Sequence, residues 1–283
     1  MKARIDDRAL VLGPGGVTGT AWMAGLAHGL RRAGVDLGGA DLIVGTSAGA
    51  IVGALLASGQ DLARLATLPR RPGHRVAPDR GRLDAVFAVL GDRDLDPAEA
   101  RRRVGRLALD GFDPAAEEAL VNGRAALTGT DAWPERRLVI TAVDAASGEP
   151  AVWDRDSGVP LARAVAASSA FPGFAPPVTI GGRRYMDGAL RSGTNTDLAA
   201  GARTLVVIEP MARFDEQADG AGAENAGAEN VVAVGPDPAA ARALGPDPGD
   251  ATAWEPSYQA GLRQAADVGE RLRAVWTTGI NAP

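Results

Sequence analysis

The sequence predicts an α/β fold: a mostly parallel central sheet flanked by helices in three layers, with a serine at a strand-to-helix elbow. Three observations point there. Short apolar runs of strand length, such as Arg8–Leu12 and 41–44, are each followed by a segment of helix length. Glycine-rich turns join the two, as in Gly13-Pro14-Gly15-Gly16 and Gly45-Thr46-Ser47-Ala48-Gly49. Hydrophobic residues make up 46% of the 283 residues but aromatics only 4%, so the core must be built from Ala, Val and Leu, which suits helices packed closely on a sheet.

Taken in order, a first strand at Arg8–Leu12 leads through a glycine loop into a helix over 17–32. A second strand at 41–44 leads into a helix over 48–58. From about 69 to 131 the chain turns arginine-rich, with helices predicted over 84–90, 97–109 and 114–127. Pro97 and Pro114 each follow an aspartate, the pairing of an N-cap with a first helical position. This insert either covers the site as a lid or acyl-binding wall, or packs on a sheet face. Strands resume at 137–143 and 151–153, and a helix at Leu161–Ser168 leads to an aromatic, proline-rich loop over 171–177. A glycine turn and short strand end at Asp187, and Thr204–Ile208 reads as the last buried strand. Gly-Ala-Glu-Asn occurs at 222–225 and again at 227–230, a low-complexity loop, and Gly-Pro-Asp-Pro occurs at 235–238 and 245–248. A helix over 258–276 closes the chain.

A serine hydroxyl attacks poorly until a base takes its proton. Gly45 and Gly49 let the backbone turn sharply around Ser47, and the following helix aims free N–H groups and the positive end of its dipole at developing negative charge. The two histidines are poor candidates for the base. His28 precedes the serine within a helix, and His74 lies in a proline-broken loop too close behind it for an intervening acid and further strands. That leaves a carboxylate, and Asp187 stands where a strand ends at a glycine turn, Asp187-Gly188-Ala189. It would share a sheet edge with Ser47 if their strands were parallel neighbours, and Gly188 would leave room for substrate. The loop Gly15-Gly16-Val17 before the first long helix, closed by Gly19, offers backbone donors for an oxyanion.

In content and order these motifs resemble the patatin-like phospholipase family: glycine-rich oxyanion loop (14–19), Gly-x-Ser-x-Gly (45–49), then Asp-Gly-Ala (187–189). The stretch 166–173, Ala-Ala-Ser-Ser-Ala-Phe-Pro-Gly, is similar to the family's Ala-Ser-x-x-x-Pro. The resemblance implies Ser47 as nucleophile, Asp187 as proton acceptor, and an oxyanion hole from the backbone of Gly15, Gly16 and Val17. It implies a serine acyl hydrolase acting on lipid esters or phospholipids through an acyl-enzyme. Two positions depart from the family loop. Pro14 replaces a glycine and removes an N–H, and Thr18 replaces the basic residue, which makes a phosphate head group a less natural substrate than an ester in general.

The catalytic domain is expected over 8–210, with 211–283 packing on it as a loop and a helix. A net charge of −5 argues against nucleic acid as partner. With no cysteine and two histidines, no metal or other cofactor is expected. The absence of a signal-like segment and of cysteine points to the cytoplasm, with peripheral contact with a lipid surface compatible. Two other readings stand beside the hydrolase. One is a catalytically silent lipid binder of the same fold. The other is a dinucleotide-binding protein built on Gly13-x-Gly15-x-x-x-Gly19 with Asp36 or Asp41 as its acid, though the loop spacing is wrong and Ser47 and Asp187 go unused.

Overall fold

The computed structural model describes residues 7–67, 78–214 and 227–276. Among them, eight strands form one sheet: β1 (Arg8–Leu12), β2 (Leu42–Gly45), β3 (Arg137–Asp144), β4 (Pro150–Trp153), β5 (Val178–Ile180), β6 (Arg183–Asp187), β7 (Thr204–Ile208) and β8 (Asn230–Val234). The helices are α1 (Gly16–Arg32), α2 (Ala48–Ala57), α3 (Arg80–Leu90), α4 (Pro97–Leu109), α5 (Pro114–Thr128), α6 (Leu161–Ser168), α7 (Ala189–Ser192), α8 (Pro238–Leu244) and α9 (Trp254–Trp276). Aspartates start several of them: Asp96 accepts from the N–H groups of Ala98 and Glu99 at 3.0 and 3.1 Å, and Asp113 from Ala115 at 2.9 Å.

Strands β8, β7, β1, β2 and β3 run parallel in that order. Alternation of side chains along β1 divides the core. Leu10 and Leu12 face a thick helical layer with Ile43, Ile140 and Ile208, packed against α1, α2, α5, α6 and α9. Ala9 and Val11 face the other way with Val44 and Val207, beneath Ala199 and Ala202. Further along that second face, α3 and α4 cover Val143 and Met186 through Val86, Val104 and Ala108. The arrangement is the expected three-layer α/β architecture.

The segment expected as a single insert divides between the layers. Helix α5 joins the first layer through Val121 and Leu127, while α3 and α4 lie on the second face. Helix α3 sits lightly there, with Val86 its one buried residue and Phe87 and Leu90 exposed. The tail is more ordered than its composition suggests. The apolar run 231–234 adds β8 to the edge of the sheet beside β7, and α9 packs along α1. The first copy of the Gly-Ala-Glu-Asn repeat and His74 lie outside the described residues.

Strand β3 decides the geometry of the site. Ile140 pairs with Gly45 of β2 and with Trp153 of β4, so β2 and β4 lie on opposite edges of β3. Ala142 pairs with Ala151 of β4 and with Asp187 of β6, so β6 shares the edge held by β2. β6 is antiparallel to β3. The strands carrying Ser47 and Asp187 are therefore not parallel neighbours, the condition under which the sequence reading placed them at one sheet edge. They meet end to end along one edge of β3, stopping opposite Ile140 and Ala142 with only Thr141 between.

Candidate active site

Ser47 occupies the turn between β2 and α2 with φ 56° and ψ −114°, a left-handed conformation that a side chain rarely adopts. The turn is as tight as its glycines suggest. A Cβ on Gly49 would lie 2.0 Å from the Leu12 carbonyl oxygen, and one on Gly45 2.7 Å from Ala50 Cα. Ser47 is 8% exposed and its Oγ donates to Asp187 Oδ2 at 2.7 Å. Asp187 is 1% exposed, and its second oxygen accepts from the Ala189 N–H at 2.9 Å. Burial pushes the Asp187 carboxyl up to about 7, and the Ala189 N–H, the Ser47 hydroxyl and the Arg124 charge pull it partly back. Such a carboxylate is poised to exchange a proton near neutral pH.

Gly188 serves differently from expectation. A Cβ there would stand 2.2 and 2.3 Å from Thr141 Oγ1 and O, so its missing side chain makes room for β3 rather than for substrate.

The glycine loop follows β1, which pairs in register with β2 from Ala9↔Leu42 to Leu12↔Gly45, so the loop emerges beside the Ser47 turn. Its donors divide. Gly13 N–H is taken by the Ile208 carbonyl, and Val17 and Thr18 N–H both donate to the Pro248 carbonyl at 2.7 and 3.2 Å. Among the described residues no carbonyl takes the N–H of Gly15, Gly16 or Ala48. Of the three expected oxyanion donors, Gly15 and Gly16 are thus open and Val17 is engaged. Gly16 makes the approach of Pro248 feasible, because its φ is 64° and a Cβ there would lie 2.5 Å from the Pro248 oxygen. Pro210 packs against the other side of the loop, where Cβ atoms on Gly15 and Gly19 would meet its ring at 2.7 and 2.8 Å.

Two contributors were given no role by sequence reasoning. Ser168 Oγ accepts the Ser47 N–H at 2.9 Å, and its carbonyl accepts the Gly188 N–H at 3.3 Å, so one buried residue touches both halves of the pair. The stretch 166–173 was singled out for its likeness to the family motif, but no contact or role was assigned to Ser168 within it. Pro248 gave no signal, since its contact joins segments far apart in the chain. His28 takes no part in the pair, its Nδ1 meeting the Tyr258 hydroxyl at 2.5 Å. Asp41 precedes β2 and accepts the Arg8 N–H, at the end of the sheet opposite the glycine loop, so it cannot serve a dinucleotide bound there. No helix among the described residues is long and apolar enough to cross a membrane.

Several solved structures are similar to the chain. VipD from Legionella pneumophila is 14% identical with a TM-score of 0.42, over 94% of this chain and 67% of that one. ExoU in the ExoU–SpcU complex of the type III secretion system of Pseudomonas aeruginosa is 23% identical with a TM-score of 0.41, over 98% of this chain. This chain spans about half the length of ExoU, 53%. No curated protein matches the sequence. The family model for patatin-like phospholipases matches residues 10–200, a span that takes in the glycine loop, Ser47 and Asp187. Because that match extends over two thirds of the 283 residues, the chain belongs to the patatin-like phospholipase family.

Proposed function

We propose that this protein is a serine acyl hydrolase that cleaves carboxylic esters of lipids with a Ser47–Asp187 dyad. The observation that carries the reading is the 2.7 Å bond from Ser47 Oγ to a buried carboxylate at a strained strand-to-helix turn. Ser47 Oγ attacks the ester carbonyl carbon while Asp187 Oδ2 takes its proton. Negative charge on the carbonyl oxygen is held by the N–H groups of Gly15 and Gly16, with the start of α2 at Ala48 adding its dipole. As the intermediate collapses, the alcohol leaves with the proton from Asp187. Water then attacks the acyl-enzyme with Asp187 again as base, and the free acid departs. An apolar acyl group suits the surroundings: the Phe87, Phe171 and Phe174 rings stand in a row at 5.9 and 6.2 Å, and the neighbouring Ala170 carbonyl holds the Asp187 N–H. The same row, exposed at Phe87 and Phe174, suits peripheral contact with a lipid surface.

Labelling by a fluorophosphonate probe, followed by intact mass, tests the reading. One adduct on Ser47 is expected, absent in Ser47→Ala and slowed by roughly 100- to 10,000-fold in Asp187→Asn. Undiminished labelling of Asp187→Asn would leave the serine active and sink the dyad. Folded wild type that takes no label favours a silent lipid binder, a reading to which the engaged Val17 and Thr18 donors lend support.

A further inference from the structure

Thr46 and Gly188 each stand one residue from the reacting pair, and both are held from behind by the same side chain. Asn195, 1% exposed, lies just after α7. Its amide nitrogen is 3.0 Å from Thr46 Oγ1, 3.1 Å from the Gly188 carbonyl, 3.1 Å from the Gly193 carbonyl and 3.3 Å from Thr141 Oγ1. Thr141 is the β3 residue that separates the two strand ends, and its hydroxyl is 3.1 Å from that of Thr46. One amide therefore ties together the serine turn, the aspartate turn and the strand between them, sharing two N–H bonds among four oxygens.

The other end of the amide is fixed as well. Asn195 Oδ1 accepts from Arg191 Nη1 at 2.8 Å, and Arg191 is clamped by both oxygens of Asp197 at 2.8 and 2.7 Å. That guanidinium sets the orientation of the amide, because a flipped NH2 would face a cation. Asn195 itself has φ 61°, and among the described residues only it and Ser47 combine a side chain with a positive φ. Asparagine tolerates this conformation better than most residues, so the position is built to place an amide there.

We propose that Asn195 is a positioning residue for the reaction. It locks the spacing of the two strand ends so that Ser47 Oγ stays within hydrogen-bond reach of Asp187, and the Arg191–Asp197 pair locks Asn195. The inference rests on the dyad reading above. Asn195 touches neither reacting atom and acts through Thr46 and Gly188. A buried hub that served stability alone would have the same contacts but no influence on the rate of a folded enzyme.

The test compares Asn195→Asp, Asn195→Gly and Arg191→Gln with wild type. Asn195→Asp keeps the shape and the Arg191 contact but removes the donors. Asn195→Gly keeps the left-handed backbone without the amide, and Arg191→Gln loosens the clamp from outside the buried turn. Fluorophosphonate labelling is read as a maximal rate and a half-saturating concentration, well below each melting temperature. The expected result is a maximal rate lower by about 100-fold in both Asn195 variants and about tenfold in Arg191→Gln, with half-saturation unchanged. In an Asp187→Asn background, Asn195→Gly should have almost no further effect, because the group it positions is already gone. Folded variants that label at the wild-type maximum, or an equal loss in both backgrounds, would overturn the proposal while leaving the dyad intact. Wild-type labelling in Asp187→Asn alone would remove the dyad, and this inference with it.

Discussion

Burial and hydrogen bonding act on Asp187 in opposite directions. Loss of water raises its proton affinity, while the Ala189 N–H, the Ser47 hydroxyl and Arg124 favour its charge, and burial prevails with a value of about 7. On the proposed dyad Asp187 must be ionised to act as base, so the labelling rate should climb through pH 6 to 8 with a midpoint near 7 and level off above it, measured with a probe that does not itself titrate there. The same shift has a cost in stability. The folded value lies above the ordinary carboxylate value of 3.8, so the native state binds the proton more tightly. Its contribution is complete below about pH 4 and is lost as pH rises to about 7. Asp187→Asn, neutral throughout, should therefore melt higher than wild type at pH 8, by on the order of 2 kcal/mol, with the gain gone at pH 4. Thermal melts at the two pH values decide it, and equal differences at both would contradict the burial argument. The pairing of the Ser47 turn with Asp187 was legible, because an unusual turn needs unusual residues around it. The engagement of Val17 by Pro248 was not, because a backbone N–H gives no hint in sequence of which carbonyl will reach it.

Elements place these residues by stopping. β2 ends at Gly45 and β6 at Asp187, and the gap between them is bridged by Ser168 at the end of α6. Ser168→Ala leaves the Ser47 N–H buried without its acceptor, at a cost of about 1 to 3 kcal/mol, and frees a turn whose φ is unfavourable. Labelling should slow measurably while the Asp187-governed pH midpoint stays near 7. A variant that loses stability but labels at the wild-type rate would reduce Ser168 to a purely structural part. Most elements were readable from periodicity and caps, since Asp-Pro pairs and apolar runs act locally. The direction of β6 was not, because an antiparallel strand and a parallel one have the same side-chain alternation. The role of Gly188 was misjudged for a related reason: the close approach that requires it comes from Thr141, on a strand distant in sequence.

Across the whole molecule, α9 closes the core by lying directly on α1. A Cβ on Gly25 would stand 2.0 Å from the Tyr258 carbonyl oxygen, and one on Gly261 2.1 Å from that of Trp22, so the two backbones touch where neither has a side chain. Buried Gln264 secures the contact, accepting from Trp22 Nε1 at 3.0 Å and donating to the Gly235 carbonyl at 2.8 Å. Gly261→Ala should cost roughly 2 kcal/mol or more by forcing the helices apart, read as a lower denaturant midpoint, whereas Gly34→Ala, with open space around it but φ 83°, should cost only about 1 kcal/mol of backbone strain. Equal effects would mean the helices are not in contact as described. The two copies of Gly-Pro-Asp-Pro make the general point. In the first, Asp237 caps α8 with Pro238 at its start, as local chemistry dictates. In the second, the same residues form a turn whose Pro248 carbonyl fills two donors of the glycine loop. The chain's own order of residues was enough to establish an α/β fold, a serine elbow, a carboxylate partner and a glycine loop, because each needs particular residue types within a few positions. Folding alone established which strands meet end to end, which donors stay open and which buried amide ties the pair together, because those depend on contacts between segments that nothing in their local sequence pairs.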